Sequence, residues 1–392
     1  MAKFIKRSLQ TITGLALIGA VGFFAFAPAI VEKGKNTVAA HDPYPVSEQA
    51  AALHKTLIIG DWHADSLLWK RDLLKRGTRG QVDIPRLQEG NVALQVFTAV
   101  TKSPKGLNYE HNSADAPDNI TLLAIGQLWP YRTWGSLFER AIYQAEKLHG
   151  FEAEAPDDLK IIRTLADLDK VLERRANGEN IVGGLLGIEG SHPLEGKIEN
   201  LGRLMDAGYR LIALQHFFDN KLGGSLHGQG NLGLTDFGRQ VVREVAARNL
   251  VLDVAHSSPQ VVRDVLEMTD IPLVLSHSGI YNHCQTKRNI SGELMQKIAA
   301  TGGVIGMGYW QDVTCDASPK GVAASIKAAV DFLGEDAVSL GSDFDGSVGT
   351  TFDTSELAAL TDALLKQGLN NDQIRKVMGG NMVRVLRARL PQ

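Results

Sequence analysis

Eight short runs rich in Val, Ile and Leu recur along this chain of 392 residues, and the stretches between them carry helical spacing. The runs occupy residues 56–65, 92–100, 181–190, 209–217, 250–257, 271–278, 302–310 and 337–346. They are continuously apolar rather than alternating, as strands of a parallel sheet are when both faces are buried. Between them, "LTDFGRQVVREVAARNL" opens on Thr235 and Asp236 as cap candidates and repeats Val241, Val242, Val245 and Ala246 along one side. "SPQVVRDVLEMTD" behaves alike, and "SGELMQKIAATGG" stops at Gly302 and Gly303. Strand then helix, repeated eight times, predicts an α/β fold of the (β/α)8 TIM-barrel type. A doubly wound open sheet is the alternative, but no G-x-G-x-x-G follows an early run. No Gly/Ser-rich or Pro-rich break divides residues 46–392, which are expected to form one domain.

The carboxyl ends of most runs bear His, Asp or Glu: His63 with Asp65, Glu189, His216, His256, His277, and Asp343 with Asp345. In a parallel barrel all strand ends converge there over the axis, and catalytic groups gather at that end. One His after a strand is commonly a hydrogen-bonded structural group. Four of the 11 histidines at one predicted edge, beside Asp65, Glu189 and Asp343, point instead to metal ligation. Imidazole with carboxylate and without thiolate suits zinc, iron or manganese in a hydrolytic site. Six or seven donors exceed what one tetrahedral ion with an open position needs, so two ions are expected. His63 and Asp65 share one strand face and would hold the first ion. His256 and His277, one β/α unit apart, would face the second. Glu189, the only acid at its strand end, is the candidate bridge. Asp343 is left for proton transfer, Asp345 reads as a turn residue, and His216 is either a ligand or an oxyanion partner. Asp61, two positions before His63, is expected to orient the ligands from behind.

The amino-terminal "MAKFIKRSLQ" carries Lys3, Lys6 and Arg7 ahead of the uncharged "TITGLALIGAVGFFAFAPAIV". A basic flank before about 20 apolar residues predicts a signal peptide or signal anchor over residues 1–31. The body is then exported to a periplasmic or other extracytoplasmic space. Ala27 and Ala29 are the candidate cleavage points; left uncut, the segment would tie the protein to the membrane. Residues 32–45 read as a polar linker. Cys284 and Cys315 can pair in such a compartment, and the sequence leaves that open. The net charge of −3 and the lack of a basic stripe give no support to a nucleic-acid partner. "LWPYRTWGSLFERAIYQAEKLHG" is aromatic and amphipathic, and reads as a packing helix in preference to a lid.

In order along the chain, "DWHAD", "GIEGSH", "LQHF", "LDVAHSS", "PLVLSHS", "KRNIS" and "GSDFDG" resemble the membrane (renal-type) dipeptidases, a branch of the amidohydrolase superfamily. The resemblance implies a catalytic (β/α)8 barrel over residues 46–392, with two Zn2+ per chain, other divalent ions being admissible. It makes His63 and Asp65 ligands of one zinc, His256 and His277 ligands of the other, and Glu189 the bridge. It also makes His216 a substrate and oxyanion contact, Arg288 the clamp on the substrate carboxylate, and Asp343 the proton-transfer residue in substrate reach. The implied reaction is hydrolysis of a dipeptide by a metal-bridging hydroxide, with a D-residue at the second position among the substrates considered. The chain departs from the family pattern at Ala64, where Asn is common, and after His216, where "FFDNKLGGS" changes the pocket. Two other functions stay in view: a related dinuclear amidohydrolase acting on N-acyl amino acids or lactams, and a non-catalytic metal-containing surface binding protein. The expected partner is a small dipeptide, and a homodimer is left open.

Overall fold

The computed structural model describes residues 2–392, with side chains described throughout from residue 21 on. Each expected run contains one strand, and a ninth is added. The strands are β1 (Ile59–Ala64), β2 (Val92–Val100), β3 (Leu159–Ile161), β4 (Val182–Glu189), β5 (Tyr209–Ala213), β6 (Val251–Asp253), β7 (Leu273–Ser278), β8 (Val304–Met307) and β9 (Val338–Leu340). They pair in the order β2-β1-β9-β8-β7-β6-β5-β4, and β2 pairs back onto β4. That closes an eight-stranded parallel barrel with helices between its strands. The closing ladder runs in register from Leu94 opposite Gly183 to Val100 opposite Glu189.

β3 lies outside the eight expected runs. It pairs with residues 182–184 of β4, while β5 pairs with residues 186–188 of the same strand. Every residue of β1, β2 and β4 is buried, as strands covered on both faces require. Close backbone approach has a sequence cost at β8 and β9: a Cβ on Gly306 would meet the Ser276 carbonyl oxygen at 2.0 Å, and one on Gly341 would meet it at 1.8 Å. Only glycine fits at these two positions, in β8 and just after β9, against the Ser276 carbonyl of β7.

The helices begin where the cap chemistry places them. Thr235 accepts from Gly238 N ahead of the helix Asp236–Ala247, Ser258 caps Pro259–Met268, and Ser291 caps Gly292–Ala300. Each such cap stabilises by about 1 kcal/mol. The aromatic stretch supplies the helix Leu137–Glu154, which buries Phe138, Ala141, Ala145 and Leu148. Its buried Arg140 donates to the Thr101 carbonyl (2.7 Å) and to Asp118 (2.6 Å), so the helix packs rather than gates.

An amino-terminal helix spans Ala2–Lys35, and among the described residues no helix is long and apolar enough to cross a membrane. Residues 36–39, within the expected linker, lie against the body: Thr350 N donates to the Thr37 carbonyl (2.9 Å), and Ala39 N to the Thr350 carbonyl (2.8 Å). Cys284 and Cys315 form a disulfide. It joins the loop after β7 to the end of the short helix Gln311–Thr314 that follows β8.

Candidate active site and metal centre

The carboxyl ends of six strands bring the expected residues into one buried cluster. Asp65 follows β1 directly, Glu189 ends β4, His277 sits near the end of β7, and His216, His256 and Asp343 each stand three residues beyond β5, β6 and β9. His256 and Asp343 hold left-handed backbones with φ of 59° at both. Non-glycine residues adopt that conformation at a cost, and it recurs where a side chain must be aimed.

Glu189 stands at the centre. Its Oε1 lies 3.2 Å from His256 Nε2, 3.5 Å from His277 Nε2 and 3.5 Å from His63 Nε2. Its Oε2 lies 3.4 Å from His216 Nε2. The Nε2 atoms of His256 and His277 are 2.9 Å apart, and His63 Nε2 lies 3.4 Å from Asp65 Oδ1 and 3.8 Å from Asp343 Oδ1. The donors fall into three overlapping groups: His63, Glu189 and His277; Glu189, His216 and His256; and His63, Asp65 and Asp343. His63 and Glu189 each belong to two groups, so these donors suit more than one ion. Asp343 joins the His63 and Asp65 group, a placement beyond the proton-transfer reading.

The orientation of the rings is fixed from behind. Ser276 Oγ lies 2.8 Å from His277 Nδ1, which turns Nε2 into the site. His216 Nδ1 donates to the Lys102 carbonyl (3.1 Å) and thereby leaves its Nε2 as an acceptor in the neutral ring. Asp61 accepts from His63 N (2.9 Å) and from Ser342 N (3.2 Å), tying β1 to the segment after β9. It therefore holds the His63 backbone rather than the ring. Asp253 ties β6 to β7 in a similar way, accepting from Ala255 N (2.9 Å) and Ser276 N (3.0 Å).

Several buried atoms of the cluster lack a hydrogen-bond partner: His63 Nε2, Glu189 Oε2 and His256 Nδ1. Imidazole nitrogens and carboxylate oxygens converging at about 3 Å, with orphaned acceptors among them, fit divalent cations. Burial pushes the carboxyl groups of Glu189 and Asp343 well above their ordinary range, and the charge of Asp65 pushes in the same direction. Burial lowers His216 to about 4 and pulls His256 and His277 well below the usual imidazole range, with Arg288 adding to both. Burial would lower His63 too, but Asp65 and Asp343 hold it above that range.

A stability prediction follows for the chelated chain. Above about pH 6.5, the ordinary His value, the lowered histidines are neutral in both the folded and unfolded states. Glu189, Asp343 and His63 bind protons more tightly in the fold than in the unfolded chain. Folded-state stability then falls as pH rises, by about 1.4 kcal/mol per pH unit for each proton retained. We expect the melting temperature of the chelated protein to drop between pH 6.5 and 8, and that of the metal-loaded protein to stay level across the same range. Equal slopes for the two forms would contradict this.

Arg288 is buried beside the cluster, its Nη2 3.3 Å from His256 Nε2 and donating to the His277 carbonyl (2.9 Å), with its guanidinium 5.6 Å from the Trp310 ring. Asn289 braces its loop, accepting from Gly279 N (2.7 Å) and donating to the carbonyls of Cys284 (2.9 Å) and Val313 (3.1 Å). Asp345 points away from the cluster and takes Ser66 Oγ (2.7 Å), Gln81 N (2.8 Å) and Arg71, as the turn reading has it. Two residues at the site carry no strand-end signal. His227 stacks on Phe217 and stands 5.6 Å from the His256 ring, and burial lowers it to about 3. Tyr109 accepts from Trp310 Nε1 (3.1 Å) and lines the same cavity.

Comparison with known proteins places this geometry. Residues 47–390 match the family described as membrane dipeptidase (peptidase family M19). The chain is 26% identical to dipeptidase aclJ of Aspergillus oryzae over 419 residues, covering 97% of this chain and 88% of that one. It is 25% identical to an uncharacterized dipeptidase of Schizosaccharomyces pombe over 326 residues, covering 79% and 73%. Among solved structures, the metallopeptidase dipeptidase AC matches with a TM-score of 0.71 and 25% identity over 86% of this chain and 100% of that one. A metallopeptidase of Rhodobacter sphaeroides, liganded with a phosphinate mimic of L-Ala-D-Ala, shares the fold with a TM-score of 0.67 at 24% identity, covering 85% and 99%. With the family match spanning nearly all of the barrel, the chain belongs to the membrane dipeptidases of peptidase family M19, and it is a metal-dependent dipeptidase by that membership.

Proposed function

We propose that residues 46–392 form a zinc dipeptidase that cleaves short peptides, with two ions held by His63, Asp65, Glu189, His256 and His277. The observation that carries this reading is the Glu189 carboxylate, which stands within 3.5 Å of His63, His256 and His277. Bound divalent ions lower the pKa of a coordinated water and polarise a carbonyl oxygen. The chain's own groups do the rest. Arg288 takes the substrate carboxylate with its planar fork and so sets the length of the peptide. His216 contacts the scissile region; as a neutral ring it accepts at Nε2, and it stabilises an oxyanion only with its second proton. Asp343 takes a proton from the attacking water and returns it to the leaving amine. A carboxylate clamp does not itself read the configuration of the second residue, so L,D dipeptides belong to the substrate class.

Export, with residues 1–31 as a signal peptide or signal anchor, fits the basic leader and also the Cys284–Cys315 disulfide, since such bonds persist in oxidising compartments. The test is a zinc-reconstituted screen of L,L and L,D dipeptides against their carboxyl-terminal amides, N-acyl amino acids and lactams. We expect free dipeptides to be the preferred substrates. Arg288→Ala should raise KM for them about 100-fold, the loss of a bidentate charge-assisted pair worth about 3 kcal/mol. Preference for N-acyl amino acids or lactams would reassign the enzyme to another amidohydrolase class.

A further inference from the structure

The cavity above the donor cluster measures about 660 Å3 and is reached by Asp65, Glu189, His216, Arg288 and Asp343. One side of it comes from outside the barrel: Phe23, Ala27, Pro28, Val31 and Lys35 of the amino-terminal helix line it. This helix end is anchored. Glu32 is 1% exposed, and its carboxylate lies 2.5 Å from Arg71 Nε and 2.6 Å from Arg79 Nε. Arg71 in turn bonds Asp345, two residues from Asp343, and donates to the Val82 carbonyl (2.7 Å). Four residues on, Asn36 is also buried and accepts from Ser347 N (2.9 Å). Gln81 joins both sides, donating to the carbonyls of Thr37 (3.2 Å) and Val348 (3.1 Å).

A solvated linker would have no reason to bury a carboxylate between two guanidiniums, because desolvating a charge is costly unless its partners are well placed. Of these partners, Arg71 reaches the turn that carries Asp343 through Asp345. Asp343, Asp345 and Ser347 all have left-handed backbones, with φ of 59°, 63° and 65°, so this turn holds its shape only through contacts such as these. On the cavity side the same helix end presents Val31, and the barrel side presents Leu68, Leu107, Leu123 and Val348. The chamber next to the donors is therefore apolar on both walls.

We propose that residues 28–39 are a working part of the active site: Glu32 and Asn36 are positioning residues for the Asp343 turn, and Val31 is a specificity wall favouring dipeptides with a large apolar side chain. The specificity half rests on the dipeptidase reading; the positioning half does not. Cleavage after Ala27 or Ala29 would leave Val31, Glu32 and Asn36 in place.

The experiment uses the zinc-loaded full chain and three variants, Val31→Asp, Glu32→Gln and Asn36→Ala. Val31 is 47% exposed, so its substitution is not expected to disturb folding. KM and kcat are measured for glycyl and leucyl dipeptides, and amide hydrogen exchange is followed at Ser347 and Thr350. Val31→Asp should raise KM for leucyl peptides about tenfold more than for glycyl peptides, the scale of one apolar contact in a pocket. Glu32→Gln and Asn36→Ala should speed exchange at Ser347 and Thr350 by about tenfold and lower kcat for both peptide classes with smaller changes in KM. Equal KM changes for the two peptides would overturn the wall, and unchanged exchange would overturn the positioning role. Absence of any dipeptide turnover by the unmodified loaded chain would defeat the dipeptidase reading and the wall with it, while exchange would still decide the role of Glu32.

Discussion

Glu189→Gln is expected to lower kcat for dipeptides by about 10³-fold or more and to leave the purified protein short of metal. Glu189 is the group that the imidazoles of β1, β6 and β7 share, with three Nε2 atoms within 3.5 Å of its Oε1. A carboxylate accepts at both oxygens, whereas an amide turns two N–H donors toward whatever lies on one side. The substitution thus removes one negative charge from the centre and sets a donor against either the ions or the imidazole lone pairs. Losing several kcal/mol of charge stabilisation corresponds to about 10³ in rate. Elemental analysis beside steady-state kinetics checks both halves. A variant with full metal and near-normal kcat would remove Glu189 from the centre of the site.

Asp343→Asn separates two roles that geometry alone allows. The side chain is of equal size, so the left-handed turn has no steric reason to rearrange. As a proton carrier, Asp343 should cost about 10²- to 10⁴-fold in kcat when its proton-accepting oxygen is lost, with metal content intact and KM changed little. Its position 3.8 Å from His63 Nε2, in one donor group with Asp65, also suits a ligand. Loss of one ion per chain in the variant would assign it that role instead, and a full-rate variant would exclude both.

How far the site can be read before folding depends on where its signals lie in the chain. The eight barrel strands are legible because burial on both faces demands largely apolar runs, and the ends of these runs carry His63, Glu189, His216, His256, His277 and Asp343. β3 is not legible: "LKI" is three residues long with a half-buried Lys160 in the middle. Asp253 is a buried carboxylate inside an apolar run, the same signal that singles out Asp61, and it could have been read by that rule. His227 and Tyr109 sit on loops, and only long-range contacts bring them to His256 and Trp310. Glu32 shows the limit most sharply. It stands in a polar stretch beside Lys33 and Lys35, and nothing local distinguishes it from a solvated charge. Its anchoring pair, Arg71 and Arg79, lies some forty residues on, and Asp345 lies in the last β/α unit. The Cys284–Cys315 pairing is of the same kind, since it follows from β7 and β8 being neighbours in the barrel.

The central claim is a two-ion dipeptidase built on Glu189, and titration of the chelated chain with zinc tests it most directly. Hydrolysis of a free dipeptide is followed as zinc is added in measured equivalents. The account predicts no turnover without metal and a rate that saturates at about two equivalents per chain. Full activity in the metal-free protein, or none on any free dipeptide at saturating zinc, would contradict it.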